Sequence, residues 1–454
     1  MFLQYKLTKR HIISTKNIIL STVILYLIFT FIFSGFEYLT KKNFESKNSD
    51  PTASIFKIEG TQNENIIITP NKEFPFRQTT FTPAPAGGVL ELRAPNYVPE
   101  IIHTEGRVPI YYEKWNQNIS YFAFESPLRR KVSFYYNGEL KNDESFLDAH
   151  DAVVHTDGTF TFLYYEPDYR TGLLHMRIKR LDKNNRVLFD WSSQAHISQH
   201  DSLYTSVSED TSLKYDESKS IYKILLKVRE KYSRLILDLI GPENYRQVIT
   251  YKLPLANQPI NLFDNQIHMG GSKIADIIHA NSIEYLNNDQ NILISARHLD
   301  SIFIIDVTSG KIVWALGGKK SRFTTNRVIG DPRGGFSHQH DARIYKNKLY
   351  IYDNGNMEPN VPSRAVVYTF DLKDAGRSRF LYEYLEPEGR RRLTMGSIQP
   401  LNNNRILIGW GGVPLGPDRD EPTLAASIVN MKTEKSEWQM WLNPGWTSYR
   451  VRAY

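Results

Sequence analysis

The chain has 454 residues and a formal net charge of +7, with 41% hydrophobic and 13% aromatic residues. This length can supply one large domain or two ordinary ones. The absence of cysteine excludes disulfides, thiolate zinc sites and a cysteine nucleophile. The basic excess is spread out and lacks the clustered stripe of a nucleic-acid-binding protein, so we expect no nucleic-acid partner.

The first element in chain order is an uncharged apolar segment from Ile18 to Phe36. Its length matches the roughly 20 residues that a helix needs to cross a bilayer. Four lysines and arginines precede it within residues 1–17, whereas only Lys41 and Lys42 follow it closely. This bias predicts a single-pass anchor with residues 1–17 in the cytoplasm and the bulk of the chain on the periplasmic, extracellular or lumenal side. A cleaved signal peptide is the alternative, although the segment ends in a poor cleavage site.

The polar, unpatterned residues 37–52 predict a linker, and residues 53–454 carry the strand-like patterns of a folded domain. A hairpin that ends in an aromatic residue recurs at a spacing of roughly 60 residues, which is typical of a repeat fold. Its copies lie at 176–191, 234–251, 302–314, 366–384 and 427–441. A second hairpin type precedes four of them, at 150–163, 281–295, 340–352 and 397–409.

One hairpin of each type makes a four-stranded blade. Five such units are visible, and residues 97–112 look like a degenerate sixth. We therefore predict an all-β, six-bladed β-propeller for residues 53–454. A pair of β-sandwiches remains the alternative, because turn spacing alone does not separate the two folds.

Three histidines, His150, His279 and His340, occupy the same position in different repeats, at the start of an innermost strand. In a propeller such positions meet at the central channel, so we predict a shared site. His338 lies two residues before His340 and would point to the same side of an extended segment. The alternative is that these histidines are buried and bind carbonyl groups between blades.

Arg297 could clamp a tetrahedral oxyanion through its planar fork, or form a structural pair with Asp306 or Asp341. A metal site made of His338, His340 and Asp341 lacks a third histidine in register, so we expect neither a metal nor another cofactor. The turn Asp353-Asn354-Gly355 is typical of architecture, because Asn-Gly favours positive φ.

At these residues the chain resembles the arylsulfotransferase family. The matching motifs occur in the family's order: His279-x-Asn281-Ser282, Ser295-x-Arg297, Ile312-x-Trp314-x-Leu316-Gly317, Gln339-His340, Asp353-Asn354-Gly355, Ser363-Arg364 and Tyr449-Arg450. The resemblance implies a six-bladed propeller enzyme that moves a sulfuryl group from a phenolic sulfate ester to a phenol through a sulfohistidine. It also implies catalytic roles for His279, His340, Arg297 and Arg364, and substrate-binding roles for His150, His338 and Asn281.

Two departures from the family pattern matter. The family's nucleophilic histidine follows a Gly-x-Gly-Gly segment, but here Gly409–Gly412 runs on to Gly416 without a histidine. The family also places an arginine soon after Asp-Asn-Gly, where this chain has Asn356, Met357 and Glu358. The nucleophile is therefore unassigned, and we expect His340 to stabilise an oxyanion. The alternative function is a non-catalytic propeller that binds an anionic glycan, such as a sulfated one, or a protein partner.

Overall fold

The computed structural model describes residues 51–61, 63–72, 89–102, 108–115, 118–124, 132–144, 146–168, 171–203, 266–269, 272–356, 361–412 and 421–454. Over these residues the chain is an all-β propeller of six sheets, which confirms the predicted fold class and excludes the sandwich pair. Among them, no helix is long and apolar enough to cross a membrane. The predicted span at 18–36 lies outside the described residues.

The alternating, aromatic-rich segments form strands because branched and aromatic side chains pack well on a pleated surface. Up to residue 276 they are β1 (Ile55–Gly60), β2 (Ile66–Lys72), β3 (Val89–Arg93), β4 (Val98–Ile102), β5 (Val108–Trp115), β6 (Asn118–Phe124), β7 (Val132–Tyr136), β8 (Glu139–Asn142), β9 (Leu147–Val154), β10 (Phe160–Asp168), β11 (Leu173–Leu181), β12 (Val187–Ser192), β13 (Gln266–Met269) and β14 (Ser272–Asp276).

The remaining strands and the short 3-10 helices complete the described elements. The strands are β15 (Ala280–Leu286), β16 (Asn291–Ala296), β17 (Ser301–Asp306), β18 (Ile312–Gly317), β19 (His340–Tyr345), β20 (Lys348–Asp353), β21 (Arg364–Thr369), β22 (Phe380–Leu385), β23 (Ser397–Pro400), β24 (Arg405–Gly409), β25 (Thr423–Asn430), β26 (Lys435–Leu442) and β27 (Trp446–Ala453). The 3-10 helices are Pro51–Ser54, Ser193–Ala195, Gln199–Asp201, Arg297–Leu299 and Ala375–Arg377.

The blades follow the chain, with antiparallel strands that run from the centre to the rim. Blade 2 contains β5–β8, blade 4 contains β15–β18 and blade 5 contains β19–β22. Blade 3 contains β9–β12, and β14 extends it by pairing in parallel with β11. Blade 1 is β27-β2-β3-β4, and blade 6 is β23–β26 with β1 on its rim.

The ring is closed at both ends of the folded chain. The last strand, β27, is the innermost strand of blade 1, where Val451 pairs with Ile68. The first strand, β1, adds to the rim of blade 6, where Ile58 pairs with Met440. Each end of the domain is therefore held in a blade built mostly from the other end of the sequence.

The blade count was predicted correctly, but one assignment was wrong. Residues 97–112 are not a sixth blade, since β4 ends blade 1 and β5 begins blade 2 within that range. The hairpin predicted at 234–251 lies outside the described residues. The hairpin pattern marks strand pairs well, but it does not show which pairs share a sheet.

Hydrogen bonds tie the inner strand of one blade to the inner strand of the next. In each bond a side chain near the start of one inner strand accepts from a backbone N–H in the following blade. The bonds join Ile283 N to Asp151 Oδ2 at 3.0 Å, Ala342 N to Ser282 Oγ at 3.1 Å, Ile398 N to Asp341 Oδ2 at 2.9 Å and Val451 N to Ser397 Oγ at 3.1 Å. We call these hydrogen bonds straps, and they hold the inner strands at the same height along the channel axis. We call the end of the channel where these strands begin the site face.

Candidate functional site

The structure brings the predicted histidines together at the site face, across blades 3, 4 and 5. The ring centroids of His150 and His279 are 4.9 Å apart. A further ring, His298, stacks on His279 at 4.6 Å and lies 6.3 Å from His338. Burial and Arg297 lower the pKa of His340, and a charge on His279 or His150 would lower it further, so His340 belongs to the same group of rings. All five rings are buried.

Carboxylates hold two of these histidines through their Nδ1 atoms. Asp276 Oδ2 lies 2.5 Å from His279 Nδ1, and Asp276 Oδ1 accepts from the backbone N–H of His279 at 3.0 Å. Asp148 bonds His150 in the same way, through both its ring and its backbone N–H. Since Nδ1 faces a carboxylate in each case, it carries a proton. Burial lowers the pKa of His279, which favours the neutral ring with its lone pair on Nε2.

The sequence analysis did not single out His298, although it is adjacent to Arg297. Its Nδ1 donates to the carbonyl of Asp276 at 2.7 Å, and its Nε2 lies 2.7 Å from Nη1 of Arg297. A guanidinium can only donate, so Nε2 must accept, and the ring is neutral. Burial lowers the pKa of His298 well below its usual value, which agrees with this assignment. A neutral histidine therefore orients the predicted anion clamp.

Arg297 is buried, with 7% of its surface exposed. Besides His298, its guanidinium donates to the carbonyl of Leu393 at 3.3 Å. Neither pairing suggested by the sequence occurs: Asp341 is bound by Arg343 and Arg452, and Asp306 by Ser309. In the described part of the chain, no carboxylate forms an ion pair with Arg297. Asp300 is near enough for Arg297 to lower its pKa, but burial outweighs this effect and raises that pKa to about 7. A buried guanidinium outside any ion pair is a candidate binding site for an anion.

His340 is held by an amide. Its Nδ1 lies 2.7 Å from Oδ1 of Asn354, and Nδ2 of Asn354 donates to the carbonyls of Arg392 and Met395 at 2.8 and 3.1 Å. These two bonds fix the amide orientation, so Asn354 must accept from His340. Burial, with help from Arg297, lowers the pKa of His340 well below its usual value. His340 is thus a neutral ring with its proton on Nδ1 and a lone pair on Nε2.

This tautomer opposes the role that we predicted for His340. Oxyanion stabilisation needs a donor, but Nε2 of the neutral ring can only accept. The geometry suits a base or a nucleophile instead. Asn354, which was predicted to serve only the turn, determines which nitrogen of His340 carries the proton. The Asn-Gly pattern predicts the turn but does not indicate this second role.

His338 bonds a carboxyl group from another blade. Its Nδ1 lies 3.0 Å from Oδ1 of Asp300, which also accepts from the backbone N–H of His338 at 2.6 Å. Burial raises the pKa of Asp300 to about 7, and it lowers that of His338 well below its usual value. Asp300 therefore couples His338 to the 3-10 helix that carries Arg297.

The backbone around the site is strained. His279, His338, Asp300 and Asp341 have φ angles of 50°, 53°, 45° and 52°. Residues other than glycine pay about 1–2 kcal/mol for this left-handed conformation, and such residues cluster at functional sites. His279, His338 and Asp341 lie where the chain enters an inner strand, and Asp300 lies where it leaves a 3-10 helix. The left-handed conformation sets the direction of each side chain at these points.

Arg364, the fourth predicted catalytic residue, is fully buried in blade 5. Its five N–H donors are all used: Nε bonds Asp353, Nη1 bonds Asp331 and Glu383, and Nη2 bonds Asp331 and the carbonyl of Gly335. None is left for a substrate oxygen. This geometry argues against the predicted catalytic role of Arg364 and gives it a structural one.

Asn281, predicted to bind substrate, is the second residue of strand β15. Its Nδ2 donates to the carbonyl of Gln339 at 2.8 Å, and its backbone carbonyl accepts from Arg450. Its Oδ1 is buried and has no hydrogen-bond partner in the described part of the structure. That oxygen is an acceptor and could bind only a donor, such as a hydroxyl group.

Asp276, His279 and His298 are close enough together to suggest a metal centre, since their ligand atoms lie within 4.8 Å of one another. Both ring Nδ1 atoms, however, already face oxygen acceptors in Asp276. The Arg297 guanidinium, bonded to His298, would also repel a cation. These residues therefore do not fit a metal ion, whereas their surroundings suit an anion.

Comparison with known proteins supports the resemblance seen in the sequence. The family model described as Arylsulfotransferase (ASST) matches residues 246–420. This segment of the chain, somewhat more than a third of its length, is therefore similar to the arylsulfotransferase family. The matched segment contains Arg297, His298, His338, His340 and Asn354, so the arylsulfotransferase-like region includes most of the site. No curated protein matches the chain.

Several solved structures align along most of the chain. A protein of unknown function from Bacteroides caccae is 8% identical, with a TM-score of 0.43 over 86% of this chain and 99% of that one. A periplasmic gluconolactonase from Pseudomonas aeruginosa is 7% identical, with a TM-score of 0.39 over 87% and 99%. Likeness at this level carries no argument about function.

The structure also shows what stands at the two departures from the arylsulfotransferase pattern. In the Gly409–Gly412 segment, Trp410 is fully buried and its Nε1 donates to Ser427. Asn356 donates to the carbonyl of Leu393 at 2.7 Å, which is the same carbonyl that Arg297 binds. Asn356 thus contacts the environment of Arg297 without adding a second positive charge.

Proposed function

We propose that this protein is a membrane-anchored, extracytoplasmic sulfotransferase that moves a sulfuryl group from a phenolic sulfate to a phenol or related acceptor. The observation that carries the proposal is the buried Arg297, which has no carboxylate partner in the described residues and is surrounded by neutral histidines. The family match supports the class of chemistry, and the apolar segment 18–36 supports the anchor.

Arg297 would bind the sulfuryl oxygens. Its planar fork can donate to two oxygens of a tetrahedral group, and a buried, water-poor site strengthens those bonds as charge moves during transfer. His298 would hold the fork in place through the 2.7 Å contact at Nε2. In this proposal Arg297, rather than His340, stabilises the developing charge.

His340 would supply the lone pair. In direct transfer, Nε2 takes the proton of the acceptor hydroxyl, the acceptor oxygen forms a bond to sulfur, and the bond from sulfur to the donor oxygen breaks with its electron pair on the leaving phenolate. In double displacement, Nε2 itself bonds to sulfur as the bond from sulfur to the donor oxygen breaks and the phenolate leaves. The acceptor oxygen then bonds to sulfur, the bond from sulfur to Nε2 breaks, and the acceptor proton passes to the donor phenolate or to water. Both routes need the tautomer that Asn354 holds.

Purified full-length protein with an aryl sulfate donor and a phenol acceptor tests the proposal. Repeated turnover of the donor should occur only when acceptor is present. His340→Ala should lower kcat about 10²- to 10⁴-fold, the usual range for a general base. His196→Ala, at an exposed ring that stacks on Trp191, is the matched control and should leave kcat unchanged. Absence of turnover across diverse donors would reject the enzyme.

The two routes differ in kinetics. Parallel double-reciprocal plots, a burst of released phenol and a sulfate label on His340 would indicate a covalent intermediate. Intersecting plots without label on the protein would indicate direct transfer.

A second candidate is a propeller that binds an anionic ligand such as a sulfated glycan without chemistry. It is favoured by the absence of a histidine between Gly409 and Gly416. Binding of sulfated ligands that persists without turnover and is lost in Arg297→Ala would select it. Sulfate label on any histidine would reject it.

A further inference from the structure

Asp300 is a buried carboxyl group beside Arg297 that the proposed mechanism does not use. It follows the 3-10 helix Arg297–Leu299 directly, as its C-cap, and none of its surface is exposed. Its backbone N–H donates to the carbonyl of Arg297 at 3.2 Å. The carboxyl group therefore lies within one helical turn of the residue that we propose to bind the sulfuryl oxygens.

The hydrogen bonds of Asp300 distinguish its two carboxyl oxygens. Oδ1 accepts from the backbone N–H of His338 at 2.6 Å and lies 3.0 Å from Nδ1 of the same residue. Oδ2 is buried and has no hydrogen-bond partner within the described residues. Burying a charged oxygen without a donor costs far more than burying a neutral one. This geometry favours a neutral acid whose proton is on Oδ2.

The charged and titratable groups near Asp300 come from three segments of the chain. They are Arg297 and His298 on the helix, His338 before β19, and Arg327 in the segment after β18. The two arginines favour the ionised carboxylate, as do the backbone N–H groups of His338 and Lys320. Burial outweighs all of them and raises the pKa of Asp300 to about 7. In the described ranges, no arginine or lysine forms an ion pair with Asp300.

Ionisation of Asp300 would put a negative charge next to the anion site. While Asp300 is neutral, the positive charge of Arg297 is not cancelled by its neighbour. Four histidines of the site have pKa values lowered by burial, so they stay neutral above about 6.5 and do not titrate where Asp300 does. They are His279, His298, His338 and His340. Within this group, the charge that changes near neutral pH is therefore that of Asp300.

We propose that Asp300 is a positioning residue that controls the charge of the anion site. As a neutral acid it ties His338 to the helix of Arg297 and leaves the positive charge of the guanidinium available to a sulfate group. As a carboxylate it weakens that binding. The proposal rests on the anion site in the proposed function, which both candidate functions share, but not on the transfer chemistry.

Binding of methyl sulfate to the purified full-length protein tests the proposal, because this ester is a monoanion at every pH used. Calorimetry from about pH 6 to about pH 9 brackets the pKa of Asp300. Affinity should be highest below that pKa and fall about tenfold as the pH rises through it. A unit charge roughly 12 Å from the anion has this effect at an effective dielectric constant of about 20.

Two conservative variants separate Asp300 from other carboxyl groups. Asp300→Asn keeps Oδ1 as the acceptor for His338 but cannot ionise, so its affinity should stay at the low-pH level throughout. Glu284→Gln is the matched control, because burial also raises the pKa of Glu284 to about 7. The charged neighbours of Glu284 are Arg343, Asp341 and Asp151. This variant should keep the wild-type fall in affinity.

Infrared difference spectroscopy gives a readout that depends on neither binding nor turnover. The carbonyl band of a protonated carboxyl group, absent from Asp300→Asn, should be present at about pH 6 and disappear as the pH rises through about 7. Coupling between proton and anion is reciprocal, so methyl sulfate should raise the midpoint by about one pH unit. If Asp300→Asn does not fold, the same shift measured in the Glu284→Gln protein decides the question.

A fall in affinity that Asp300→Asn abolishes and Glu284→Gln retains, together with the shifted band, would support the proposal. An equal fall in Asp300→Asn, or an ionised Asp300 at about pH 6, would overturn it while leaving the anion site intact. Binding that is absent at every pH, or unchanged in Arg297→Ala, would overturn the anion site and the proposal together.

Discussion

Two buried arginines, both in motifs shared with the arylsulfotransferase family, have opposite surroundings. Arg364 spends all five N–H donors on three carboxylates and a carbonyl. Arg297 donates to a neutral histidine and a carbonyl, with no carboxylate paired to it in the described residues. Burial and motif membership are common to both, so neither identifies the anion site. The inventory of partners separates them, because a guanidinium whose five donors are all used has none left for a substrate anion.

The largest predicted effect is on stability, at Arg364. Arg364→Ala should lower the free energy of unfolding by about 3–5 kcal/mol, because Asp331 and Asp353 would stay buried without their cation. Urea unfolding measures the change. Arg186→Ala, at an exposed hairpin where Arg186 pairs with Asp182, is the control and should change stability by less than about 1 kcal/mol. An Arg364→Ala variant that keeps its stability but loses turnover would contradict the structural role of Arg364 and assign it to the site.

The next effect is on turnover, at Arg297. Arg297→Ala should lower kcat about 10²- to 10³-fold, the usual cost of removing a donor to a developing oxyanion. Its effect on stability should be much smaller than that of Arg364→Ala, since no buried carboxylate loses its partner. Steady-state kinetics and urea unfolding on the same preparation measure both quantities. Arg297→Lys keeps the charge but loses the fork, so partial activity is expected. Full activity in Arg297→Ala would remove Arg297 from the mechanism.

The sequence could predict the propeller and the shared phase of the histidines, because alternation and repeat spacing reflect local strand geometry. It could not assign residues 97–112 to two blades, since sheet membership depends on contacts between blades. The same limit applies to the site. The polarity of His340 depends on Asn354 and on two carbonyls from another blade. The position of His298 directly after Arg297 could have marked it as a candidate site residue. Only the fold shows that its ring turns back toward the guanidinium.

The charge state of the histidine cluster makes stability depend on pH. Burial lowers the pKa of His340 in the folded protein, while the unfolded chain takes up a proton below about 6.5. Stability therefore falls as pH is lowered below that value, by about 1.4 kcal/mol per pH unit for each neutral buried histidine. His340→Gln should flatten the profile between pH 6 and 5 by about that amount. Unfolding at several pH values checks it, and an unchanged slope would mean that His340 is already charged.

The smallest effect concerns a strap rather than the site. Ser282 belongs to the His279-x-Asn281-Ser282 motif, but its hydroxyl accepts from Ala342 N in the next blade at 3.1 Å. Ser282→Ala should cost about 1 kcal/mol of stability, because a buried backbone N–H loses its acceptor, and kcat should be nearly unchanged. Thermal or urea unfolding measures the first quantity and steady-state kinetics the second. A fall in kcat as large as that in Arg297→Ala would contradict this prediction. It would show that the hydrogen bonds between inner strands position the histidines as strictly as the contacts within the site do.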